Sequence, residues 1–233
     1  APPQAASAVL VLAILSGGLL LGASTDRAAA GPAGPNLLLV TIDTWRYDHL
    51  SAHPEAVAPD LTPNLDTLAS RGLLFTEARA HAPITVPSHA SMLSGRAPWE
   101  HGVVTNGGRL AADLPWLPEQ LSEAGWHTGA VVSGAVIRGD RGFSRGFDVF
   151  HDDLRSPPRV DDLVILRLVL LFRGESSKRV FRAVASRALP RARAFLESTP
   201  AGRPWFLWLH FYDVHLPHSI SEFEDPVPVE TVL

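Results

Sequence analysis

Three apolar runs of strand length stand out along the chain: Asn36–Ile42 (NLLLVTI), His127–Val132 (HTGAVV) and Pro204–Tyr212 (PWFLWLHFY). They are continuous rather than alternating, the pattern of strands covered on both faces. The segments between them carry helical spacing with clear punctuation. Thr62 and Pro63 open a helix that sets Leu65, Leu68 and Ala69 on one face and stops at Gly72. Pro87 opens a second helix that runs to about Ser94 and closes at Gly95, and Pro118 marks the start of a third, Leu117–Ala124, ended by Gly125. Gly72–Phe75 reads as a short strand between the first two. Proline at helix entrances and glycine at exits, in the order β-α-α-α-β, predict an α/β fold: a layered α/β/α domain around a largely parallel mixed sheet.

The ends read differently. Ala5–Ala23 is an uncharged apolar run long enough for a signal-peptide core or a marginal single span, and AAAGPAGP at residues 28–35 follows it as a cleavage site or flexible linker. A buried helix of the domain is the competing reading, and the terminal position weighs against it. The expected organisation is a signal peptide or single anchor over residues 1–24, a linker over 25–35 and the domain from 36 to 233. That puts the domain in the periplasm, outside the cell, or on a membrane by way of residues 5–23. Leu163–Phe172 is apolar but too short for a span and is read as a core helix or a hydrophobic lid. Ser177–Glu197 is arginine-rich, reads as a solvated helical face, and is expected to be divided in two by Pro190. Gly139–Phe150 reads as a loop with buried aromatics.

Composition narrows the chemistry. With 233 residues and 46% hydrophobic content the chain can build one substantial core, and a net charge of −4 carries no nucleic-acid signature. There is no cysteine, which excludes thiolate chemistry and a disulfide framework, and Lys178 is the only lysine. Two positions draw attention. Asp43 follows the first strand directly, and in open α/β sheets ligands sit beyond the carboxyl ends of strands. Thr85 lies two residues before Pro87, just outside the expected helix N-terminus, where free N–H groups and the macrodipole favour an anion. Taken alone, Thr85 and Ser88 are more ordinary as helix caps, and Asp43 as a turn residue.

The neighbouring residues change that balance. Residues 85–95, TVPSHASMLSG, resemble the nucleophile region of the alkaline phosphatase superfamily, where Cys, Ser or Thr precedes x-Pro-x-Arg or x-Pro-x-His and a small-residue helix. Pro98 with HGVVTN at 101–106 resembles the next element of the Thr-dependent branch. IDTWRYDH at 42–49 resembles the first metal-ligand motif of sulfatase-like hydrolases, RGFD at 145–148 the motif that follows the His127–Val132 strand in the same family, and HFYDVHLP at 210–217 their H-x-Y-D-P-H-x-P motif. The resemblance implies Thr85 as nucleophile, His89 positioning it, His215 contacting the ester or its leaving group, Asn106 donating to an ester oxygen, and Asp43 as a metal ligand. Arg46 and Asp48 are read as structural, His210 as a core residue and His218 as solvated. The implied cofactor is a divalent cation: Ca if sulfatase-like, with Mn, Mg or Zn as the other candidates.

The chain also departs from the family pattern. Thr44 stands where some sulfatases have a second Asp, Thr cannot yield the formylglycine aldehyde, and Val132 and Ser133 replace a Lys-Trp-His region. These departures favour phosphate esters over sulfate esters. No downstream Asp-His or Asp-Asn string such as SDHG occurs, and the tail Ser219–Leu233 has no closing element, so the fold is expected to be incomplete at its C-terminus. The resulting expectation is the N-terminal part of a hydrolase of sulfuric or phosphoric esters of small molecules, glycans or lipids, acting through a covalent Thr intermediate. Two alternatives stand beside it: a phosphoethanolamine- or phosphoglycerol-type transferase, and a non-catalytic pseudo-enzyme or binding module.

Overall fold

The computed structural model describes residues 10–16, 34–134, 136–153 and 185–215. Its centre is a five-stranded sheet in the order β1-β2-β5-β3-β4: β1 is Leu10–Ser16, β2 Asn36–Ile42, β3 His127–Val132, β4 Val149–His151 and β5 Trp205–Phe211. Strands β2, β5, β3 and β4 are parallel, and β1 joins the edge antiparallel to β2 with Leu10 opposite Ile42. The predicted strands β2, β3 and β5 fall where the apolar runs lie. No helix among the described residues is long and apolar enough to cross a membrane.

Strand pleating sorts the side chains into two layers, because successive residues point to opposite faces. Phe206 and Trp208 of β5, with Ala130 and Val132 of β3, join one core with Val86, Ala90 and Leu93 of helix α2 (Thr85–Ser94). Leu207, Leu209 and Val131 face the other way and pack on Ala188, Ala192 and Phe195 of helix α5 (Ala185–Ser198). Helices α1 (Pro63–Arg71), α3 (Pro98–His101) and α4 (Leu117–Glu123) complete the chain order. Gly129 has a specific task in the second core: a Cβ there would stand 2.4 Å from the Phe195 ring.

Four expectations are corrected. Helix α2 starts at Thr85, not Pro87, with Ile84 as its N-cap, so Thr85 is the first residue of the helix rather than a residue outside it. Pro87 is then the third helical residue, still within the first turn whose N–H groups have no intrahelical acceptor. Residues 72–75 form no strand; Leu73 and Phe75 are 77% and 72% exposed. Pro190 does not divide α5, which runs through it: the buried stripe Ala188, Ala192, Phe195 holds the helix on the sheet despite one lost backbone bond. The loop read at 139–150 contains β4 at its end, while its aromatic character holds, with Phe143 fully buried. The expectations for Leu163–Phe172, the tail Ser219–Leu233 and His218 lie outside the described residues.

Candidate active site

Asp43, Thr85, His89, Asn106 and His215 line one cavity of about 100 Å³, together with Thr44 and Ser88. Each arrives from a different part of the chain, and local structure explains how. Asp43 continues the β2 ladder by one bond, its N–H donating to Phe211 O at 2.9 Å, which fixes the carboxylate at the strand mouth. The next residue, Thr44, has φ 55°, a left-handed conformation that is costly for a β-branched side chain and turns the chain sharply away.

Helix α2 presents its first turn to the carboxylate. Thr85 Oγ1 donates to Asp43 Oδ2 at 2.8 Å, and both side chains are buried. Asn106 reaches the same helix end from the other side: its Oδ1 accepts the Val86 N–H at 2.9 Å and satisfies one of the N-terminal donors. The backbone carbonyl of Asn106 in turn accepts from Arg141 Nη1, tying this loop to the Gly139–Arg141 turn.

His89 is fully buried one turn into α2, and its Nδ1–H donates to Thr85 O at 2.8 Å. Burial pushes its pKa below the ordinary histidine value, against the opposing pull of the Thr85 carbonyl and the Asp43 charge. A neutral ring bonded to the Thr85 carbonyl steadies the turn that carries the hydroxyl. His215 stands at the end of β5, its ring stacked on Tyr212 with centroids 4.1 Å apart. Arg46 and Asp48 pair with each other away from the cavity, and the guanidinium holds the Asp48 carboxyl at about 2.

The string HGVVTN is placed by His101. Val103 N–H donates to its Nδ1 at 3.1 Å, so the neutral ring carries its proton on Nε2 and donates to Ser91 Oγ at 2.9 Å, clamping α3 to α2. Burial lowers the His101 pKa. The unfolded chain, with an ordinary value near 6.5, therefore binds more protons in acid. Stability is full above about pH 6.5 and falls below it, by at most about 1.4 kcal/mol per pH unit from this residue. His101→Gln is expected to flatten the melting-temperature profile between pH 5 and 7; an unchanged slope would show that the ring titrates normally.

Two residues of the site region were not assigned to it from the sequence, which reads His210 only as a core residue. His210 and Thr41 lie side by side in the β2–β5 register, under His89 and behind Asp43. An interior strand position is the ordinary place for a core histidine, and only the sheet register brings it to the carboxylate. Among the described residues no group of three or more His, Asp or Glu side chains stands together as a metal cage. Asp43 Oδ2 and Thr85 Oγ1 are nonetheless two oxygen donors 2.8 Å apart at one cavity, a partial fit to a hard divalent cation.

A largely parallel sheet between helical layers is the architecture shared with sulfatase-like members of the alkaline phosphatase superfamily. The sequence pattern of the sulfatase family matches residues 35–231, and the chain belongs to that family. Arylsulfatase A of Bos taurus is 29% identical over 231 residues, covering 85% of this chain and 44% of the relative. N-acetylgalactosamine-6-sulfatase of Canis lupus familiaris is 33% identical over 132 residues, 48% of this chain and 25% of the relative. Among solved structures, one described in complex with its substrate D-glucosamine-2-N,6-O-disulfate matches with a TM-score of 0.60 at 18% identity, covering 84% of this chain and 39% of that one. The phosphonate monoester hydrolase of Agrobacterium radiobacter matches with a TM-score of 0.53 at 23% identity, covering 76% and 40%. The chain thus spans less than half the length of these relatives. The sulfatase family generally binds a divalent metal.

Proposed function

We propose that this chain carries the nucleophile half of a metal-dependent hydrolase of sulfuric, phosphoric or phosphonic esters, with Thr85 as the attacking group. The single observation that carries the reading is the 2.8 Å hydrogen bond from Thr85 Oγ1 to Asp43 Oδ2 at the cavity wall. A hydroxyl whose proton already rests against a carboxylate has its lone pairs available to an electrophile in front of it. As the bond from Oγ1 to sulfur or phosphorus forms, the bond to the leaving oxygen breaks, the Oγ1 proton is released to solvent with Asp43 staying ionised, and the leaving oxygen takes up a proton from solvent. Water then cleaves the enzyme-bound ester and regenerates the hydroxyl.

The remaining residues take roles around that step. His89 holds the Thr85 backbone. The Asn106 amide oxygen is engaged by the helix, which leaves its –NH₂ for an ester oxygen, and His215 supplies a hydrogen bond to the leaving oxygen. A divalent cation held in part by Asp43 supplies charge neutralisation and Lewis acidity when bound. The substrate class is an ester of a small molecule, glycan or lipid. The relatives are named as sulfatases and a phosphonate hydrolase, which supports hydrolysis over transfer.

The test is a chromogenic panel of sulfate, phosphomonoester, phosphodiester and phosphonate esters, run on the full-length protein with Ca, Mg, Mn and Zn. Chelation is expected to lower turnover of the best substrate at least about tenfold, with recovery on adding back one cation. Turnover that persists in protein shown to be metal-free would refute the metal-dependent reading.

A further inference from the structure

The Asp43 carboxylate is 5% exposed, yet among the described residues it takes one side-chain hydrogen bond, from Thr85. A buried carboxylate needs more than that. Across from it lies the complementary deficit. His210 Nε2 is fully buried, has no hydrogen-bond partner among the described residues, and stands 3.7 Å from Asp43 Oδ2. Gly134 closes one side of the ring, where a Cβ would come within 3.0 Å of Nε2.

The protons around Thr41 decide which way that nitrogen is protonated. Trp208 Nε1–H donates to Thr41 Oγ1 at 3.1 Å, since an indole can only donate. His89 uses its own N–H on Thr85 O, so its Nε2, 3.4 Å from Thr41 Oγ1, offers a lone pair. His210 Nδ1 lies closer, at 2.9 Å. The hydroxyl has one proton to give, and the shorter contact takes it. His210 Nδ1 then accepts, and the ring's own proton sits on Nε2, facing the carboxylate.

We propose that His210, with its tautomer fixed by Thr41, is the positioning residue for Asp43: its Nε2–H orients the carboxylate from behind so that the opposite side meets the cation. At 3.7 Å the contact is longer than a hydrogen bond and acts through the attraction of the N–H dipole for the carboxylate charge. The inference rests on the reading of Asp43 as a cation ligand and extends it to a residue outside the cavity lining. Supporting partners of this kind, one step removed from the ion, commonly change metal affinity by about 10–100-fold.

The experiment is calorimetric titration of the metal-free full-length protein with Mn and with Ca, paired with thermal melting before metal is added. His210→Phe is expected to weaken binding about 10–100-fold. His210→Gln is expected to stay within about threefold of the parent, because its amide –NH₂ reaches the place of Nε2–H. Thr41→Val is expected to weaken binding and Thr41→Ser to preserve it. A purely structural role would lower the melting temperature of both His210 variants without this split in affinity. Parent-like affinity in His210→Phe, or equal loss in Phe and Gln, overturns the inference. Should the Phe variant fail to fold, the Thr41 pair decides by the same criterion. Asp43→Asn separates the two levels: if it binds cation like the parent, the Asp43 reading itself fails and this one with it.

Discussion

Thr85→Ala is expected to lower turnover by at least about 10³-fold, the scale on which removal of a sole nucleophile acts. The reason lies in the position of the hydroxyl rather than in its chemistry alone. It sits on the first residue of α2, donates to a buried carboxylate, and belongs to a β-branched side chain with a narrow choice of rotamer. The rival account, in which Thr85 caps its helix, makes a different forecast. A lost cap costs about 0.5–2 kcal/mol of stability and leaves chemistry untouched. Ile84 occupies the N-cap, and no side-chain cap bond is made there. Thr85→Ser keeps the oxygen and is expected to retain turnover within about tenfold, losing only the rotamer restriction. Ser88, a turn further along the same helix and on the same cavity, sets the background against which the loss is read. Rates for the Ala variant within tenfold of the parent, in a folded protein, would assign the nucleophile elsewhere. Mass spectrometry of the parent after rapid quench should find the substrate-derived group on the peptide containing Thr85, and an unmodified peptide with turnover intact would argue for direct attack by water.

How much of this was legible in the sequence depends on which interactions fix each feature. Strands β2, β3 and β5 announce themselves because a strand covered on both faces needs an unbroken apolar run. The start of α2 was misplaced by two residues because proline is tolerated anywhere in a first turn, so Pro87 marks the turn and not the boundary. The continuity of α5 through Pro190 is a tertiary effect: Ala188, Ala192 and Phe195 bury against β3 and β5, and no local signal says so. Leu73 and Phe75 read as a strand by composition, but among the described residues no neighbouring strand pairs with them. The cavity residues were legible because four short motifs meet there: Asp43 follows β2, Thr85 and His89 lie in the first turns of α2, Asn106 follows α3 and His215 follows β5. His210 was legible only as a core residue, and Thr41 not at all. Their hydrogen bond joins residues 169 positions apart and exists only because β2 and β5 run parallel in one register.

That same register makes Trp208 the residue through which fold and site are coupled, and Trp208→Ala is expected to have the largest effect on stability. Its ring is fully buried in the larger core, within 6.5 Å of Phe143 and 6.2 Å of Phe147, and 5.7 Å from His89. Truncating a buried aromatic of this size typically costs about 3–5 kcal/mol through lost contacts and the cavity left behind. For a domain of this length that corresponds to a drop of roughly 10 °C in melting temperature. Trp208→Phe separates packing from polarity. It keeps most of the buried ring but removes the N–H that Thr41 Oγ1 accepts. A lone pair of Thr41 is then freed, and the preference that directs its proton to His210 over His89 weakens. The Phe variant is therefore expected to melt within a few degrees of the parent while losing part of its cation affinity. The Ala variant should lose both. If Trp208→Ala melts like the parent, the core assigned to this face of β5 is wrong, and with it the rigid floor on which Asp43 and α2 are held.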